Sequence, residues 1–199
     1  MKIRFETDGD KLDAIAVADI LHGIAALGYI FNEVEQGYGK HDIFDDLTYF
    51  YPYPRHLSLF YRDRHSDFWG FSGDIGERNF ETDHILSVFV RLAANDGGVK
   101  ITGLQIGSLE AEIEGILRNV GGKIRDLFKK SISSTAKAAS KQRDFKTEEL
   151  RRVIDEVLGE FVGLGLPAST SVHLLINAAI SKVADGLARI HVRSASIEE

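Results

Sequence analysis

Cysteine is absent from all 199 residues. That excludes disulfides, thiolate zinc sites and cysteine nucleophiles, and it fits a reducing compartment. Prolines number only three, and two of them, Pro52 and Pro54, fall in one tract. Long apolar runs are scarce too: the most apolar late segment, Val172 to Ile190, is broken by Lys182, Asp185 and Arg189 and is too polar to cross a bilayer. The opening stretch, MKIRFETDGDK, carries charge where a signal peptide needs an apolar run, which predicts a cytoplasmic chain that does not meet a membrane. No HExxH or GxSxG occurs, and Gly121-Gly122-Lys123 lacks both the first glycine of a phosphate loop and the Ser or Thr after its lysine. No cofactor is expected from these motifs.

What remains is ordinary globular material. Hydrophobic residues make up 44% and charged residues 27%, with no low-complexity tract or fixed-period repeat, so a folded domain is expected. A chain of this length buries roughly 70% of the surface its unfolded form exposes, enough for a core without staples.

Local patterns predict an α+β fold: a small antiparallel sheet of hairpins, an N-terminal strand-helix unit and a C-terminal set of three helices. KIRFET alternates charged and apolar side chains over residues 2–7, the period of a half-buried strand. Apolar residues then recur at three and four positions from Leu12 to Val34, which predicts one amphipathic helix over 11–35. Residues 56–62 and 67–72 read as a hairpin across the loop 63–67, and 81–95 reads as a helix by length although Val88, Phe89 and Val90 favour strand. A second hairpin is expected over 99–113, turning at Gly107-Ser108. Helices are expected over 116–140, 147–162 with Thr147 as N-cap, and 170–190. The domain organisation read from this is a sheet region over 1–115 with a helical region over 116–199 packed on it.

The hairpin VKITGLQIGSLEAEI, running into a long helix, resembles a pattern in small uncharacterised bacterial and prophage-type α+β proteins, where a Gly-Ser-Leu or Gly-Ser-Phe turn joins two short strands. The resemblance spans about a fifth of the chain. It implies an intracellular binding module, with a place in phage and host conflict, and supplies no catalytic residues.

Two features carry what functional signal there is. Tyr49 to Phe71 holds nine of the nineteen aromatic residues. Packing is the commoner use of such side chains, but Pro52 and Pro54 bar the YFYPYP tract from an inner strand, so tyrosines there should reach the surface. Tyr49, Tyr51, Tyr53 and Trp69 with Arg55, Arg62, Arg64 and His65 are therefore the candidate ligand-binding set, stacking a nucleotide-like ligand and pairing its phosphates. In the loop, Asp63, His65 and Asp67 point to one side of an extended chain. Against their bland reading as solvated loop, they offer general acid and base chemistry or a cation site, the basis of an alternative reading as a nucleotide or phosphodiester hydrolase. His41, Asp42, Asp45 and Asp46 form a similar acidic cluster, better read as a solvated loop.

The second feature is charge. From Ile116 to Arg143 eight Lys or Arg residues face one acid, Asp126, so that segment is +7 while the whole chain is −6. Apolar and basic residues segregate to opposite sides of a helical wheel there. Lys123, Lys129, Lys130 and Lys137 are the candidate anion-binding residues. Competing uses of the same cations are a plain solvated face, pairing with the acidic helix that begins TEELRR, or phosphate contacts to nucleic acid. Asp19 and His22, on the first helix, are close enough in sequence to pair. The reading is a non-enzymatic binding module that forms homo-oligomers through its late helices and recognises a small anionic ligand or a protein partner.

Overall fold

The structure is a computed structural model, and it describes residues 1–8, 12–36, 98–141, 147–166 and 170–199. The alternation in KIRFET produces strand β1, Lys2–Thr7, with Ile3, Phe5 and Thr7 buried and Lys2, Arg4 and Glu6 turned the other way. Asp13 then starts helix α1, Ala14–Glu35, by accepting a hydrogen bond from the Ile15 N–H at 2.8 Å. An N-cap carboxylate satisfies one of the donors that a helix start leaves open.

Strands β2, Gly98–Gln105, and β3, Ser108–Glu114, form the expected hairpin. Its turn is Ile106-Gly107 and not Gly107-Ser108: Gln105 pairs with Ser108, and Gly107 takes φ +88°, a conformation costly for any residue with a Cβ. Helix α2, Gly122–Ser140, starts six residues later than its periodicity suggests. Gly115 at φ +80°, Gly121 and Gly122 break the pattern, and residues 115–121 make turns that still bury Ile116, Leu117 and Val120. Helices α3, Thr147–Gly163, and α4, Thr170–Arg189, follow as predicted.

A last strand, β4, Val192–Glu198, has no counterpart in the sequence pattern. VRSASIE has two serines and few β-formers, so nothing local marks it. Its placement begins with His191, a non-glycine residue at φ +51°, whose N–H bonds the Ala188 carbonyl at 3.1 Å and turns the chain out of α4. β4 then lies against β1.

All pairings are antiparallel and the strand order is β2-β3-β1-β4. The chain is thus an α+β fold with a four-stranded antiparallel sheet. Residues directly opposite each other share a face. Ile3 stands between Ala111 and Ile197, and Phe5 between Leu109 and Ala195, as the inner rows. On the outer face Lys100, Glu112, Lys2 and Glu198 line up in alternating charge across the four strands. Because β4 comes from the C-terminal region and β1 from the N-terminal one, the two regions share one sheet and one core.

α4 runs through the middle of that core. Val172, Leu175, Ile176, Ala179, Ile180, Val183, Ala184 and Leu187 are all fully buried. It meets α1 closely enough that a Cβ on Gly23 would sit 2.6 Å from Val183 Cγ2, and one on Gly186 would sit 2.6 Å from the Ala16 carbonyl oxygen. Phe31 joins α1 to the other helices, edge-on to Phe128 at 5.9 Å and to Phe161 at 4.8 Å. Among the described helices α1 has the length and apolar character of a membrane span, with mean hydropathy 1.8 over its best window; 67% of that window is buried inside the fold, as in the core helix of a globular domain.

Candidate functional site

Several candidates lie outside the described residues. These are the ligand-binding set Tyr49, Tyr51, Tyr53, Arg55, Arg62, Arg64, His65 and Trp69, the Asp63/His65/Asp67 cluster, the His41 cluster, the 56–72 hairpin and the 81–95 helix.

The basic helix is described, and its lysines have different fates. Lys130 lies between Glu156, at 2.6 Å, and Glu160 of α3. The hydrogen bonds it donates, first to Glu156 and then to Glu160, push its ammonium up to about 12 from the ordinary 10.5. So the pairing with the TEELRR helix occurs at this position. Lys129 is paired with Glu199 at 2.6 Å, and in turn holds that carboxyl below its usual range. Arg125 braces the preceding turn by donating to the carbonyls of Leu117, at 3.1 Å, and Val120, at 3.4 Å. Lys123 and Lys137 are exposed and have no ion-pair partner among the described residues. They share a helix face with Lys130, but fourteen residues at 1.5 Å each put their backbones about 21 Å apart. One small phosphate cannot span that distance, and the middle cation of the stripe is already matched by two carboxylates.

A second cluster sits on the α1–α4 seam. Asp19 is buried and receives Arg189 Nη1 at 3.3 Å, with Lys182 Nζ at 3.8 Å. Two of the charges that make residues 172–190 too polar for a bilayer thus serve a carboxylate in the neighbouring helix. Helical spacing puts His22 and Asp185 along the same seam. The cluster joins the two central helices.

A cleft with about 330 Å³ of space lies where β1 ends and β4 begins, lined by Asp8, Ala139, Ser140, Lys141, Ala188, His191 and Val192. Its charges are balanced internally. Asp8 pairs with Arg193, and Lys141 stands at the end of α2, where a helix carries roughly half a negative charge. No group of three or more His, Asp or Glu side chains placed to hold a metal occurs among the described residues.

The surface that stands out is apolar. Ile101 is 43% exposed, Leu104 55% and Ile106 79%, three of the five large aliphatic side chains exposed among the described residues. They are consecutive apolar positions of one hairpin arm and its turn, not scattered singles. Ile101 is paired to Ala111 and Leu104 to Leu109, so both continue the inner rows of the sheet beyond the last buried column. Among the described residues β2 is an edge strand whose outer backbone groups have no neighbouring strand in the sheet. Lys100, the one charged side chain on it, is on the other face, engaged by Glu114 and by Glu112 at 3.6 Å. Periodicity marks this hairpin in the sequence, but it does not tell which of the apolar residues stay uncovered. That depends on β2 standing at the edge of the sheet among the described residues.

Compared with family models, with curated proteins and with solved structures, the chain matches none. Its function has to be argued from its own geometry.

Proposed function

We propose that this chain is a non-enzymatic, cytoplasmic interaction module that binds a protein partner at the β2 edge of its sheet. The observation that carries this reading is the exposed pair Ile101 and Leu104 on an edge strand, with exposed Ile106 in the turn that follows it. Sheet edges are normally blunted by inward charges or proline, because free N–H and C=O groups template further pairing. Here the inward-facing positions of the edge are aliphatic. Fully burying a Leu or Ile side chain is worth about 1.5–3 kcal/mol, so covering these three releases about 3–5 kcal/mol per copy before any backbone hydrogen bond forms. Strand addition at such an edge joins main-chain bonds, which give affinity, to side-chain pockets, which give selectivity.

The late helices offer less of such a surface, with Val162 of α3 their one large exposed aliphatic side chain among the described residues. α4 is used up in the core, and α3 faces the core with Leu150, Val153, Ile154, Val157 and Phe161. Contact with a polyanion long enough to reach both exposed Lys123 and Lys137 is the secondary reading.

The test is a photoreactive amino acid placed at Ile106, with a control at exposed Arg152 on α3. Irradiation in cells should give a discrete adduct from position 106 and none from 152. Equal or no adducts at the two positions would remove the proposal.

A further inference from the structure

Resting on that reading of the β2 edge, the geometry points to a second copy of this chain as the partner, docked β2 against β2 about a twofold axis between Thr102 and Gly103. The two four-stranded sheets would then form one antiparallel sheet.

The reason lies in the bulge. Ile101 opposes Ala111 and Gly103 opposes Glu110, with Leu104 next opposite Leu109, so Thr102 is an extra residue in the strand. In an unbroken strand, side chains on one face keep the same parity. The extra residue changes the parity midway, so Val99 and Ile101 before it and Leu104 after it all face the inner side, matched to Ile113, Ala111 and Leu109. The strand and the first residue of its turn therefore read apolar, polar, apolar, then Thr102-Gly103, then apolar, polar, apolar, the last being Ile106. It has the same pattern from either end.

An isologous contact requires such self-complementarity, because each residue that touches its counterpart must be touched in return. With the axis between Thr102 and Gly103, Ile101 lies opposite Leu104 of the second copy, and Val99 falls toward Ile106. Ile101 and Leu104 share the inner face, as directly opposed residues in an antiparallel ladder do. Lys100 falls opposite Gln105, and the two Lys100 ammonium groups stand five strand positions apart, about 17 Å, beyond the screening length in physiological salt. Sliding the register by one residue would turn one copy's apolar side chains to the solvent face, so the register is specified. A single short strand pair buries less than a standard interface, so a micromolar dimer is expected and not a permanent one.

Because the chain has no cysteine, introduced thiols report the geometry without background. Ile101→Cys and Leu104→Cys proteins are purified separately and oxidised, alone and as an equimolar mixture. Directly opposed strand residues lie within disulfide reach, so the mixture should cross-link strongly while each variant alone does so at least tenfold less, its own thiols being offset along the strand. Sedimentation velocity of the unmodified chain over a micromolar to near-millimolar series should move from 22.1 kDa toward twice that mass. Leu104→Lys should remain monomeric with an unchanged circular dichroism spectrum. A wild-type monomer at every concentration, or cross-linking that is equal in single and mixed samples, overturns the twofold pairing. If the photoadduct at position 106 then proves to be another protein, the interaction reading stands and the self-pairing falls.

Discussion

Arg189 reaches Asp19 across 170 residues of sequence, its Nη1 3.3 Å from the carboxylate Oδ2 at the seam of α1 and α4. The same carboxylate lies 3.8 Å from Lys182 Nζ. Asp19→Asn removes the negative charge that both cations use while keeping the shape. Bonds to charged, buried groups are the costly ones to lose, and urea unfolding should show a loss of about 2 kcal/mol. Arg189→Ala, at the more exposed end of the pair, should cost less than about 1 kcal/mol, the range of surface ion pairs.

Glycine substitutions should separate a packed seam from a free surface. Gly23→Ala puts a methyl 2.6 Å from Val183 Cγ2 and 2.8 Å from the Ala179 carbonyl oxygen, so the helices must part. Overpacking of this kind costs about 1–3 kcal/mol. Gly159, in the middle of α3, has nothing within 4 Å of an added methyl, and Gly159→Ala should stabilise by about 0.5–1 kcal/mol through helix propensity. Thermal or urea melts of the two variants should shift in opposite directions.

Glu35, at the end of α1, accepts the Gly121 N–H with both carboxylate oxygens, at 3.0 and 2.7 Å. Gly121 is the N-cap of α2 and has no side chain of its own to cap with, so the cap comes from a different helix. Glu35→Ala should lower stability by about 1 kcal/mol, the usual cost of a lost cap. Amide exchange should quicken at the first turn of α2 before it does in the middle of that helix.

The Lys130 ammonium offers a pH test. Its value is raised in the folded state, to about 12, by Glu156 and Glu160. The contribution is therefore complete below the ordinary lysine value of 10.5 and disappears as the pH rises through about 12. A carbon-detected titration of the Lys130 side chain should have its midpoint near 12. In the Glu156→Gln/Glu160→Gln double variant the midpoint should fall back toward 10.5.

Lys123 and Lys137 test the anion reading. If they contact a polyanion, retention on heparin should fall steeply with salt, and the Lys123→Ala/Lys137→Ala variant should elute earlier with a slope shallower by about two counterions. Identical elution of the variant and the wild type would end that reading.

Residue pattern was enough to specify the local elements. The period of two in KIRFET marked β1, the three-and-four spacing of Leu12 to Val34 marked α1, and α3 and α4 fell where their apolar positions put them. These depend on contacts within a few residues, and periodicity records such contacts. Tertiary structure alone decided the rest. VRSASIE became a strand because β1 had a free edge beside the end of α4, not because of its own composition. Lys130 was matched by α3, Lys129 by Glu199, and Asp19 by α4, since charge pairing depends on which surfaces meet and not on spacing along the chain. Ile101 and Leu104 have the pattern of core residues, yet among the described residues their strand is last in the sheet, and being last is a property of the assembled strands that no stretch of residues contains.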